Sequence, residues 1–232
     1  ELDEDSIVQM ASWLNTQLQR SAQRIIEYAL INGDTVTSAT TNLNLIDGTP
    51  GTGAARPAYL ATDGFLKSPI ITTTTMSYDA GNTMSEDVFL EVIKKFPAAL
   101  QANKQQLIRF ILGVAEETAA LNIPAVKTRD INTQATIENG SLVKMWGVPV
   151  LVSGEMAKAN SAGKISATPG NNIYGRILAI APQHWAVAFS RDVRFKVSED
   201  PYSDSQLMRV SLRMGAVYRA TTAAAAAYEV AV

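Results

Sequence analysis

Between Ser6 and Ile31, apolar residues fall at Ile7, Ala11, Leu14, Leu18, Ala22, Ile25 and Ala29, in steps of four and three. That spacing puts them on one face of an α-helix and predicts one unbroken helix over 6–31, about 39 Å long at 1.5 Å per residue. Asp3, Glu4 and Asp5 complement its N-terminal dipole, Ser6 and Gln9 fit a capping box, and Asn32-Gly33 is expected to supply a left-handed stop. The opposite face, Asn15, Gln19, Gln23 and Glu27, is polar. A helix so long and one-sided needs a long partner.

The period changes in the second half. Val193, Phe195 and Val197 alternate with Asp192, Arg194 and Lys196, while Val210, Leu212, Met214 and Ala216 alternate with Arg209, Ser211, Arg213 and Gly215. This predicts two half-buried strands joined by the acidic turn SEDPYSDSQ, with apolar faces that are the expected cover for the long helix. Between helix and strands, residues 34–83 are rich in Thr, Gly, Asn and Ala and are expected to form an extended loop, apart from a Thr-rich strand over 70–76. Ser85 is expected to cap a short helix over 86–96 that closes at Pro97. A second helical stretch leads to an apolar strand over 107–112 and a helix over 114–121 that stops before Pro124. Asn139-Gly140, in TQATIENGSLVKMWGVPVLVS, predicts a two-residue hairpin turn. Strands follow at 148–152, 177–180 and 185–189. The end, TTAAAAAYEVAV, combines helix propensity with a strand-like finish, and propensity leaves both readings open.

With 47% hydrophobic and 18% charged residues in 232, the chain can bury a sizeable core, as one large domain or two small ones. Its formal charge of -2 hides an asymmetry: residues 1–100 carry six Lys/Arg against twelve Asp/Glu, and residues 101–232 carry fourteen against ten. Neither half is basic enough to announce nucleic-acid binding by charge alone. The lack of Cys excludes disulfides, thiolate nucleophiles and Cys-based zinc sites. No stretch approaches the roughly 18 apolar residues of a membrane span, and ELDEDS is acidic where a signal peptide is basic and then apolar. Glu1 is expected to mark a truncation, a proteolytic product or the first ordered residue.

GTPGTGAA, residues 48–55, has the glycine spacing of a phosphate-binding loop. A nucleotide site needs a Lys and a Ser/Thr after the second glycine and a helix beginning there; Ala54, Ala55 and Arg56-Pro57 stand in those places. A triad would join His184, the only His, to Ser190, Asp192 or Ser153, but no Gly-x-Ser-x-Gly elbow is present, and a structural role beside Trp185 is the simpler reading. Glu199, Asp200 and Asp204 lack the spacing of an EF-hand loop and fit a solvated turn. Asn139-Gly140-Ser141 is formally a glycosylation sequon, better explained by turn geometry. Arg191, Arg194, Lys196, Arg209 and Arg213 form a basic stripe on the polar face of the paired strands, serving solubility or contact with a polyanion. No catalytic, cofactor-binding or metal-binding residue is assigned, and no enzyme activity is expected.

The order of these parts resembles the major capsid proteins of tailed bacteriophages, with the Hong Kong 97-type fold. SAQRIIEYALINGD resembles the end of the family's long spine helix, and GTPGTGAARPAYLATDGFL its glycine-rich excursion. SEDVFLEVIKKFPAAL and QLIRFILG resemble the opening of its axial domain, KMWGVPVLVS its later hairpin and strand, and RDVRFKVSEDPYSDSQLMRVSLRMGAV its two long returning strands. YRATTAAAAAYEV resembles the final axial segment.

The resemblance covers essentially the whole chain and implies an α+β fold: a spine helix packed on an elongated antiparallel β-ribbon, with a mixed α/β axial domain. Residues 1–80 and 187–219 are then the peripheral domain, with the spine helix at 6–31, and 81–186 and 220–232 the axial domain. It further implies a structural coat protein, not an enzyme, that assembles with itself as pentamers and hexamers into an icosahedral virion shell around double-stranded DNA, without a membrane. Assembly is expected in the host cytoplasm, with scaffolding, protease and portal proteins as further partners and sequence-independent contact with packaged DNA.

The family's N-terminal arm and E-loop have no counterpart here, so no cross-linking Lys is carried over and the chain is expected to be part of a longer protein. The segment 34–83 is longer than the family pattern. An encapsulin-like compartment, which shares the fold, and a nucleotide hydrolase using the glycine-rich loop are the alternatives.

Overall fold

The computed structural model describes residues 2–36, 42–45, 61–127, 135–166, 168–200 and 205–232; for residues 2–12, 45, 191–193, 195–197, 199–200 and 205–210 it describes the backbone alone. The chain opens with α1 (Leu2–Asn32), 31 residues and about 46 Å long. The helix is thus longer at both ends than the 6–31 that periodicity predicts. A two-residue strand, β1 (Asn44–Leu45), follows. The strand expected over 70–76 is replaced by a π-helical turn, Ser68–Thr72, opened by Pro69, and a 3-10 turn, Thr74–Met76. The strand β2 (Ser77–Thr83) begins only after them.

Next come α2 (Glu86–Lys94), α3 (Ala98–Ala102), α4 (Lys104–Leu107), β3 (Arg109–Gly113), α5 (Val114–Leu121) and α6 (Pro124–Lys127). Ser85 occupies the N-cap of α2 through its backbone carbonyl, which accepts from Val88 N, rather than through its hydroxyl. Pro97 opens α3 where it was expected to close α2.

The hairpin is where Asn139-Gly140 puts it, between β4 (Ala135–Glu138) and β5 (Ser141–Met145), with φ of 50° and 83° at the two turn residues. Both lie in the left-handed region that a type I′ turn requires. A second tight turn at Trp146-Gly147 (φ 53° and 79°) leads to β6 (Val148–Ser153), and the Trp146 indole donates to Glu86 O at 2.9 Å, tying the hairpin to the start of α2.

After β7 (Ile165–Ser166) and β8 (Gly175–Ile180) come the two long strands, β9 (Trp185–Asp200) and β10 (Ser205–Tyr218), and finally β11 (Ala224–Val230). The alanine run is therefore strand. One mixed sheet has the order β2-β11-β8-β3-β6-β5-β4, β1 pairs with β7, and β9 with β10 forms a separate antiparallel ribbon.

The centre of the seven-stranded sheet is covered on both faces. Phe110, Leu112, Ile177, Ala179, Ala225 and Ala227 join α2 residues Val88, Phe89 and Val92 in one core. Ile111, Leu178, Ile180, Ala224 and Ala226, on the alternate positions, meet Ile31 at the end of α1 and Leu66 and Ile70 in the other. A strand buried on both faces reads as a continuous apolar run, which is why β8 and β11 show no alternation.

Candidate functional site at the junction of helix, ribbon and sheet

The C-terminus of α1 is buried, and a segment from a later part of the chain closes it. Helix ends leave carbonyls without intrahelical partners. Here Ala29 O accepts from Gly33 N (3.0 Å), Leu30 O from Phe65 N (2.7 Å), Ile31 O from Leu66 N (3.2 Å) and Asn32 O from the Asn44 side-chain amide. Gly33 is not in the left-handed region, contrary to the expected stop. Its lack of a side chain serves close approach: a Cβ there would lie 2.3 Å from Ala29 O and 2.4 Å from Thr62 O.

Asn32 and Asp34, flanking that glycine, are fully buried polar residues. The Asn32 amide donates to Glu155 O (2.8 Å), and its Oδ1 accepts from Arg176 Nη2 (2.6 Å). Arg176 is 0% exposed, and its guanidinium is held by neutral acceptors: Ala157 O (3.1 Å from Nε, 2.6 Å from Nη2), Gly163 O (3.4 Å) and Asn32. Burial lowers its pKa to about 10, against the attraction of Glu116 and Tyr28, so it stays charged at neutral pH. Glu116, also buried, accepts from Arg176 N at 3.0 Å, and desolvation pushes its carboxyl above the usual range.

On the other side of the turn, Asp34 accepts from Leu43 N (2.8 Å) and Val36 N (2.9 Å) and pairs with Lys67 at 2.7 Å, while Lys67 also reaches Asp63 at 2.7 Å. Desolvation pushes Lys67 down, but its two carboxylate partners more than offset this and hold it above its ordinary value. Desolvation likewise raises Asp63, and the bonds from Lys67 and Thr35 override it to hold the carboxyl low. Asp63 therefore adds stability that is fully present above its unfolded pKa and lost as pH falls through its folded one. Lys67 adds stability that is present below 10.5 and lost as pH rises through its folded value. Asp63 is partly exposed, so its acid limb is worth about 1 kcal/mol or less. Urea unfolding from pH 5 to pH 3 is expected to show this loss, and Lys67→Met to flatten it.

The same segment reaches the ribbon. Thr62 Oγ1 accepts from Ala216 N (2.7 Å) and donates to Ala216 O (3.5 Å), covering the outer edge of β10 at its base. Phe65 stands edge-on to Trp185 (4.6 Å between centroids), which stands edge-on to Tyr218 (5.6 Å), and Trp185 Nε1 donates to Ala223 O (3.0 Å). Helix, ribbon and sheet are thus fastened at one point.

Beyond that point the cover thins. Ala22 and Ala29 are buried and Leu14 and Leu18 half-buried, but Ile25, expected on the covered face, is exposed, and Trp13 is 61% exposed. The apolar side of the ribbon therefore covers the long helix only in part. Phe189 (52% exposed), Val187 and Val217 are also open.

The structure does not assemble a triad. His184 sits in a 3-10 turn where its carbonyl accepts from Arg219 N (2.7 Å), Ser153 donates to Glu27 (2.5 Å), and Ser190 and Asp192 lie roughly 20 Å or more along the extended β9. Among the described residues no group of three or more His, Cys, Asp or Glu could hold a metal ion, and no helix is long and apolar enough to cross a membrane. Glu199 and Asp200 end β9, whereas Asp204 and GTPGTGAA lie outside the described residues. The buried hub of Asn32, Asp34, Glu116 and Arg176 is what sequence reading missed; its one signal was a lone cation inside the otherwise apolar GRILAI.

No protein-family model and no curated protein matches the chain. Solved structures do. The capsid of the native GTA particle matches with a TM-score of 0.58 at 15% identity, covering 96% of this chain and 66% of that one. The capsid of the empty GTA particle matches at 0.54 and 16%, covering 96% and 66%. The satellite phage P4 procapsid including size determination (Sid) protein matches at 0.51 and 10%, covering 96% and 68%. The chain spans about two thirds of the length of these structures. At such identities the likeness establishes the fold, and it is the Hong Kong 97-type capsid fold that the order of elements resembled.

Proposed function

We propose that the chain is the shell-forming part of a tailed-phage-type coat protein, which assembles with itself into a closed container around double-stranded DNA. The observation that carries this is the match of 96% of the chain to capsid subunits. In this reading residues 1–80 and 187–219 form the peripheral arm and 81–186 with 220–232 the axial body. The junction sets the angle between them. The open apolar residues of the arm, Trp13, Ile25, Val187, Phe189 and Val217, support it, because a lone subunit leaves them wet and neighbours in a shell cover them. Shell closure needs many such contacts to repeat with symmetry, which a fixed arm angle favours. Scaffolding, protease and portal proteins belong to the same reading.

Electron microscopy and sedimentation of the full-length protein test it. Closed, uniform shells are the expected result, and a monodisperse small particle under all assembly conditions would sink the proposal. Shells filled with an enzyme rather than DNA would move the reading to an encapsulin-like compartment.

A further inference from the structure

The register of the ribbon gathers the basic residues of both long strands onto one face. Arg209 lies directly opposite Lys196, Ser211 opposite Arg194, and Arg213 opposite Arg191. Directly opposite residues of an antiparallel pair share a face, so five cationic positions occupy three consecutive rungs. The intervening pairs, Met208 with Val197 and Val210 with Phe195, fall on the other face. Slips in register on either side of Arg213 bring Arg213 opposite Arg191. On the ribbon strands the carboxylates are Asp192, in that irregular stretch, and Glu199 and Asp200 at the tip. Arg194 and Arg213 are exposed, and no carboxylate pairs with either among the described residues.

Like charges directly opposite each other destabilise a strand pair. Twice in three rungs the ribbon bears that cost on the face turned away from its apolar side. A solubilising surface would mix both signs at no such cost. Same-face rungs are about 6.8 Å apart, a ladder of cations that suits a regularly charged chain. A two-stranded ribbon also has the cross-section that the major groove of B-DNA admits.

We propose that this face of the ribbon binds the phosphate backbone of double-stranded DNA without sequence preference. The choice of DNA as the polyanion rests on the shell reading; the binding face itself rests on the register.

The test is the salt dependence of binding to a 30-base-pair duplex of mixed sequence, read by fluorescence anisotropy with the full-length protein. Each phosphate contact contributes about −0.9 to the slope of log K against log salt. Arg194→Gln with Arg213→Gln is expected to reduce the slope by about two and to weaken binding equally on unrelated sequences. Lys127→Gln with Lys144→Gln, on the sheet body, is expected to leave it unchanged. An unchanged slope in the ribbon variant, with unaltered circular dichroism, overturns the proposal. Stronger binding to polyglutamate than to the duplex, lost in the same variant, also overturns it in favour of an acidic protein partner. Sedimentation of the same samples separates the two readings: DNA binding without shells leaves the face and removes the container, and shells with an unchanged slope do the reverse.

Discussion

Arg176→Met is expected to lower the unfolding free energy by about 3–5 kcal/mol, measured by urea unfolding at pH 7. The guanidinium supplies every bond described for it to Ala157 O, Gly163 O and Asn32 Oδ1, and the first two are main-chain acceptors that cannot turn elsewhere. Orphaning buried acceptors costs about 1–3 kcal/mol each. The substitution also takes from the buried carboxyl of Glu116 the stronger of its two positive neighbours, leaving Lys158. Arg176→Lys keeps the charge but offers a point donor where a fork is needed, so it is expected to recover less than half of the loss. A Met variant within about 1 kcal/mol of the parent would show that the hub is not what holds the helix end to the sheet.

The second large effect is expected at the pair of glycines where the helix end meets the returning chain. Gly33→Ala puts a Cβ 2.3 Å from Ala29 O and 2.4 Å from Thr62 O, and Gly64→Ala puts one 2.5 Å from Gly33 N and 2.8 Å from Ile31 O. All four neighbours are main chain, and Ala29 O, Gly33 N and Ile31 O are themselves hydrogen-bonded, so no flexible side chain can give way. Overpacking of this kind costs about 3 kcal/mol or more. By contrast, Gly154→Ala and Gly170→Ala meet nothing within 4 Å and are expected to stay within about 0.5 kcal/mol of the parent. Thermal melts of the four variants give the comparison; equal melting temperatures would refute the close-approach account. Under the proposed shell function, variants at the junction glycines are also expected to fail in shell formation at temperatures where the sheet stays folded, because the helix and ribbon lose their fixed setting on it.

What could be read from the sequence was what local chemistry decides. The spacing of Leu14, Leu18, Ala22 and Ala29 gave the helix, Asn139-Gly140 the hairpin, and the alternation through Phe195 and Val210 the ribbon. What failed was decided by distant contacts. Ile70 and Ile71 have strand propensity, but Leu66 and Ile70 must turn into the core beneath the sheet, and the chain there coils instead. The alanines of β11 have helix propensity, yet they become strand between β2 and β8, where both faces are packed by the two cores and small side chains fit. Nothing in VAEETAAL sets Glu116 apart, and nothing local reveals that Arg176 N donates to it from 60 residues away. The open surfaces were legible only in part: the basic stripe was visible, but its pairing of like charges across the strands needed the register.

The closure of α1 by later parts of the chain also sets a clock. Asn32 and Arg176 are 144 residues apart. At about 5–20 residues per second, a ribosome delivers Arg176 roughly 7–30 s after Asn32. During that interval the side chain of Asn32, at the end of α1, lacks the Arg176 guanidinium from which its Oδ1 accepts, on a polysome where copies of the same chain emerge side by side. The end of α1 cannot take its final setting on the sheet until β8 has been made. Under the proposed shell function, competence to join other subunits is then acquired only after Arg176 has been made, which keeps shorter nascent chains out of a growing shell.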